Sequence, residues 1–170
     1  MPSELGLFSR DPIPVTVAGT RFLLPWRPAA VWLQGLGRLG VLAALLAEEG
    51  QRSEMADLIM AHPGARAELE AESLRILGEA GGRKWWEAGR LASTGAATEV
   101  LGRLVLAGVD PWHRSIGEWC AAVFAVCMKG QDEKGRIKFE FTLSLPPPGY
   151  EEEWDDGMDQ ATVLALTGGK

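Results

Sequence analysis

Four groups of residues carry types and spacings that could do chemistry. Gly35-Leu36-Gly37-Arg38-Leu39-Gly40 matches G-x-G-x-x-G, a motif whose glycines bring backbone N–H groups up to a pyrophosphate at a helix N-terminus. That chemistry needs a strand before the motif, a helix after it, and an acidic residue about 20 positions on at the end of a second strand. Asp57 stands at that separation but in a helical context, Glu54 to Met60, and no alternating strand–helix pattern follows. The simpler reading is that the glycines let another helix approach closely, at a cost of about 1 kcal/mol each relative to Ala. Cys120 and Cys127 lie in a helical segment. Their spacing is two turns, about 10.5 Å, which is too long for a disulfide. They read as buried thiols that behave as small hydrophobes and suit a reducing cytoplasm. His62 and His113 are the only histidines, far apart and without a matching cysteine or carboxylate cluster, which makes a poor metal site. Pairing His113 with Cys120 lacks a local nucleophile–base signature. Glu151-Glu152-Glu153 and Asp155-Asp156 lack the alternating oxygen ligands and central glycine of an EF-hand loop, and such a run repels itself into solvent. Hence no catalytic, cofactor-binding or metal residue is assigned, and no cofactor is expected.

Charge narrows the partners. The net charge is −6. Residues 146–170 hold six carboxylates against Lys170, or −5, which leaves −1 for the rest. Phosphate binding needs a basic patch, so nucleic acid is not the expected partner. The longest unbroken apolar run is Leu39 to Ala47, about half of the roughly 20 residues that a membrane span requires. No membrane span or secretory signal is read. Seven Trp stand against one Tyr, and Trp serves cores and interfaces equally well. A chain of 170 residues fits one domain with a tail.

The elements follow from periodicity. Residues 13–25 read as a β-hairpin turning at Ala18-Gly19-Thr20. One helix is expected from Ala29 to Glu48, apolar nearly all round, with Trp32, Leu36, Leu39, Ala43 and Leu46 in one stripe. Such a helix is central in its domain or covered by a partner. Ser53 caps a short helix ending at His62-Pro63. A longer one over Ala65–Ala80 turns Leu69, Ser73, Ile76 and Leu77 inward and stops at Gly81-Gly82. Lys84–Ser93 follows. Its Trp85 and Trp86 project about 100° apart, so both cannot face one narrow core. A helix over Ala97–Ala107 is expected to turn Leu101, Leu104 and Val105 inward. Ser115 and Glu118 then form a capping box, opening a helix with Ile116, Trp119, Cys120, Val123 and Cys127 on one face. From Ile137 to Leu145 apolar and polar residues alternate strictly, so the local period favours a third strand that could pair with the hairpin. Pro146-Pro147-Pro148-Gly149 breaks structure, and the acidic remainder reads as a mobile tail with one apolar patch, Val163 to Leu166. The expected fold is mainly α, a helical partner-binding domain over 1–145 with an N-terminal hairpin, and an acidic tail over 146–170. Residues proposed to anchor a partner are Trp32, Leu36, Trp85, Trp86 and Trp112.

Several short motifs in order carry a family resemblance: Pro25-Trp26-Arg27-Pro28-Ala29-Ala30 after the hairpin, Trp85-Trp86-Glu87-Ala88, Gly108-Val109-Asp110-Pro111-Trp112, and Glu118-Trp119-Cys120-Ala121-Ala122-Val123. Over about residues 11–150 the chain resembles tail assembly chaperones of long-tailed phages infecting actinobacteria. The specificity lies in the combination of motifs. The resemblance implies helix rather than strand at 137–145. It implies binding to the tape measure protein, a very long helical chain that sets tail length, which is kept soluble until tube subunits polymerise round it. It further implies partners in the tail tube protein and in a frameshifted longer form of the same chain. The expected location is the host cell cytoplasm, with no copy in the mature virion, and the family offers no catalytic residues to carry over. Two rival readings are a nucleotide-dependent enzyme using Gly35 to Gly40 and a head–tail connector retained in the virion.

Overall fold

The computed structural model describes residues 10–151. Strands β1 (Ile13–Val17) and β2 (Thr20–Leu24) form an antiparallel hairpin with Val15 opposite Phe22. Ala18 at φ 49° and Gly19 at φ 76° make the turn, with the two positive angles that match a tight turn to the twist of its strands. The period of two sends Ile13, Val15, Val17, Phe22 and Leu24 into the core.

The single helix expected over Ala29–Glu48 is three short pieces: α1 (Ala29–Gly35), a 3-10 segment (Leu36–Val41) and α2 (Leu42–Leu46). Arg38, at φ −138° and ψ 51°, departs from helical geometry. The three glycines weaken a continuous helix, and bending gains contacts that a straight one forgoes. Leu42 folds back onto Gly35, where a Cβ would stand 2.5 Å from Leu42 Cδ1. In a straight helix those two positions are about 10.5 Å apart along the axis. By length and composition 29–46 is apolar enough to cross a membrane, but it is bent, and Trp32, Leu42, Ala43 and Leu46 are buried in the core.

Helix α3 (Glu49–Ala61) begins four residues before the expected cap at Ser53. Glu48 is the N-cap instead, its N–H donating to Gln51 Oε1 at 3.1 Å. Helix α4 (Ala65–Gly81) buries Leu69, Ser73, Ile76 and Leu77, as its spacing predicts, and ends on Gly82 at φ 66°. The buried Ser73 hydroxyl donates to Leu69 O at 2.7 Å and accepts the Ala43 N–H at 3.0 Å. It thereby satisfies one of the donors that the start of α2 leaves without an intrahelical acceptor.

Helices α5 (Trp85–Gly95), α6 (Thr98–Leu106) and α7 (Ile116–Met128) follow. The expected capping box opens α7: Ser115 N–H donates to Glu118 Oε2 at 2.7 Å, and Glu118 N–H to Ser115 Oγ at 3.1 Å. Trp119 is buried against Gly95, where a Cβ would meet its Cζ2 at 2.7 Å, and its indole donates to Ala92 O at 3.3 Å. Both cysteines are free, Cys120 buried and Cys127 half-buried. Burial pushes the Cys120 thiol up to about 12.

The chain divides into two compact units between Cys127 and Met128. The second holds α8 (Glu133–Ser144), so the third strand expected over 137–145 is a helix. A strand needs a neighbour for its N–H and C=O groups, whereas a helix pairs them internally. Among the described residues the sheet has two strands only. Asp132 caps α8 by accepting the Gly135 N–H at 2.7 Å. The alternation survives on the helix as half-buried Ile137, Phe139 and Phe141 with buried Leu143, between exposed Lys138, Glu140 and Thr142. Of the acidic tail expected over 146–170, the part from 152 on, with its apolar patch, lies outside the described residues.

Candidate functional site

The Gly35–Gly40 motif occupies a bend between two short helices, not a strand-to-helix turn. Gly35 receives Leu42, and a Cβ at Gly40 would lie 3.7 Å from the Glu70 side chain of α4. Gly35 therefore serves close packing within its own bent segment, Gly40 makes an ordinary contact with α4, and a Cβ at Gly37 would meet nothing within 4 Å. Among the described residues no group of three or more His, Cys, Asp or Glu side chains is placed to hold a metal ion.

The five expected partner anchors separate by burial. Trp32 is in the core, its indole donating to Arg27 O at 3.2 Å. Trp86 is buried too. Trp85 and Leu36 are half-buried. Trp85 meets Trp86 edge to face, with ring centroids 5.7 Å apart and planes at 84°. The two indoles do diverge, as adjacent helical positions must, but neither stands clear of the protein. The start of α5 runs close over α4, because a Cβ at Gly78 would lie 3.2 Å from Trp85 N. Trp112 alone of the five is mostly exposed, at 58%.

Val105 and Leu106, a few residues before Trp112 in the chain, are exposed as well, as are Leu23 and Met60 elsewhere. On α6 only Leu104 is buried, whereas Val105 is 61% and Leu106 91% exposed. The expectation that Val105 turns inward is corrected here. Val100, Leu101, Leu104, Val105 and Leu106 carry more apolar surface than one face of a nine-residue helix can bury, and that surplus was the signal available in the sequence.

This exposed segment is held firmly. Gly108, at φ 74°, ends α6 in a Schellman turn, with Val109 N–H donating to Leu104 O at 2.9 Å and Gly108 N–H to Val105 O at 2.9 Å. Asp110 then fixes the next turn, its carboxylate accepting the Trp112 N–H at 2.9 Å and meeting His113 Nδ1 at 2.7 Å. Those contacts, the Trp112 N–H first, lower the pKa of Asp110. The turn also caps α1, whose N-cap Pro28 has no side chain to do so. Ala29 N–H donates to Arg114 O at 2.8 Å and Ala30 N–H to Pro111 O at 3.0 Å.

Charges around these apolar groups are paired locally. Arg103 meets Glu99 at 2.6 Å and Arg114 meets Glu118 at 3.4 Å. What this stretch offers chemically is exposed apolar side chains beside one ionised carboxylate, Asp110, on a hydrogen-bonded backbone. Compared with known proteins, the chain matches no family model, no curated protein and no solved structure at a significant level.

Proposed function

We propose that this protein binds apolar helical segments of another protein and acts as a tail assembly chaperone for a phage tape measure protein, without catalysis. The observation that carries the reading is the exposed trio Val105, Leu106 and Trp112 on a backbone fixed by a Schellman turn and by the caps of α1. Exposed Trp on a rigid frame is the kind of residue that dominates interface energetics, each such anchor contributing on the order of 2 kcal/mol or more. An amphipathic helix laid against such surface is a common recognition mode. The family resemblance of the sequence motifs supplies the identity of the partner. The tail tube protein and a frameshifted longer form of the chain are further expected partners, and the host cytoplasm is the expected site of action.

The neighbouring gene is expected to encode a very long helical protein, and the test is to co-express its product with and without this chain. The partner is expected to be soluble only in the presence of this chain, and the complex to persist in moderate salt, since burial of apolar side chains is weakly screened. A partner equally soluble alone, or a complex lost in moderate salt, overturns the proposal. Thermal shift with NAD and ATP checks the enzymatic alternative, because a bound nucleotide must raise the melting temperature. Detection of the chain in purified virions would favour a connector.

A further inference from the structure

We propose that α4 guards the free edge of β1, and that removing the guard lets two copies of this chain pair through that edge. Among the described residues the sheet has two strands, and no strand lies along the outer side of β1. Along that side α4 places Glu68, Glu72 and Arg75, at positions i, i+4 and i+7 of one helix face. Glu68 Oε2 accepts the Ala18 N–H at 2.6 Å, and Glu72 Oε2 accepts the Thr16 N–H at 3.0 Å. Arg75 Nη2 donates to Pro14 O at 2.7 Å. Acceptors thus face the outward N–H groups and a donor faces the outward carbonyl, which is what a neighbouring strand would offer.

The spacing explains why a helix can do this. From Glu68 to Glu72 the helix rises about 6 Å, and from Ala18 back to Thr16 a strand spans about 6.6 Å. From Glu72 to Arg75 the rise is only about 4.5 Å, and the longer arginine side chain covers the remainder. Arg75 is itself fixed by Glu72 at 2.8 Å and Glu79 at 2.7 Å. Pro14 already removes one N–H from the edge, and the guard covers the donors that remain. Without it, Ile13-Pro14-Val15-Thr16-Val17 would present unpaired groups on a β-branched strand, the feature that templates edge-to-edge association. The occupant that fits is β1 of a second copy, because two identical edges can pair antiparallel about a two-fold axis.

The experiment uses the full chain. Light scattering after size exclusion should give wild type one mass over a tenfold concentration range. The double variant Glu68→Ala/Glu72→Ala should shift to at least twice that mass. Adding Thr16→Pro removes an outward N–H without touching the pairing to β2, and should restore the wild-type mass. A double variant that is folded by near-ultraviolet circular dichroism yet keeps the wild-type mass overturns the proposal. So does association that Thr16→Pro leaves undiminished. Because the double variant risks losing its fold, amide exchange of Glu68→Ala alone provides a second reading. The Ala18 amide should exchange at least tenfold faster than in wild type while that of Thr16 is unchanged. Equal Ala18 rates in the two proteins would show that Glu68 guards nothing.

Discussion

Helices α6 and α7 belong to the same unit, and both are rich in apolar residues, yet their fates differ. α7 buries Ile116, Trp119, Cys120 and Val123, whereas α6 buries Leu104 alone and leaves Leu106 91% exposed. A glycine marks the difference in each case. Gly95, at the end of α5, is the hollow into which Trp119 and Val123 of α7 pack. Gly102, within α6, faces open space, with nothing within 4 Å of a Cβ placed there. Apolar content does not decide whether a helix face becomes core. A complementary hollow on a neighbour does, because dispersion and transfer gains both need close contact.

The sharpest way to break this contrast is Trp119→Ala. Truncating a fully buried indole should destabilise the protein by about 3–5 kcal/mol, read as a fall in the denaturation midpoint. Gly95→Ala comes next, because its Cβ would meet the Trp119 ring and Val123. Overpacking there should cost about 1–3 kcal/mol. A loss below that range would mean that α5 and α7 yield more easily than their contact suggests.

The α4 guard adds a pH dependence to the buried side of the comparison. Burial raises the pKa of Glu72, but hydrogen bonds from Arg75 and the Thr16 N–H, with the charge of Arg75, outweigh it and hold the carboxyl below its usual 4.5. A depressed carboxylate contributes stability that is present above the unfolded pKa and lost as pH falls through the folded one. Wild type should therefore lose more melting temperature than Glu72→Gln as pH drops from 5 to 3. Equal acid sensitivity would show that this carboxylate is not what ties β1 to α4.

The exposed side predicts smaller effects on stability. Gly102→Ala should stabilise by about 0.5–1 kcal/mol, since it adds helix propensity where nothing clashes. Leu106→Ser and Trp112→Ala should each change stability by no more than about 0.5 kcal/mol, while lowering the soluble yield of a co-expressed helical partner. Thermal melts paired with that yield separate the two consequences. Substitutions that leave both unchanged would remove this surface from the proposed function.

Much of the fold was legible because it is written in local periods and local hydrogen bonds. The hairpin, with its inward Val15 and Phe22, follows from alternation about a turn at Ala18-Gly19. The inward set Leu69, Ser73, Ile76 and Leu77 follows from helical spacing, and the start of α7 follows from the reciprocal bonds of Ser115 and Glu118. The candidate surface was legible only in Trp112. Trp32 and Trp86 read equally well as anchors, because an indole serves both roles and the chain does not state which neighbour will cover it.

What the sequence by itself determined was therefore the identity of most elements and the residues each turns inward, since those depend on backbone geometry within a few residues. Tertiary structure decided the rest. It bent Ala29–Leu46 at Arg38, because packing Leu42 on Gly35 outweighs continuing the helix. It made the alternating stretch at 137–145 part of α8, which pairs its backbone internally as a lone strand cannot. It also left Val105 and Leu106 outside, because whether an apolar side chain finds cover depends on residues distant in the chain, and no local period encodes them.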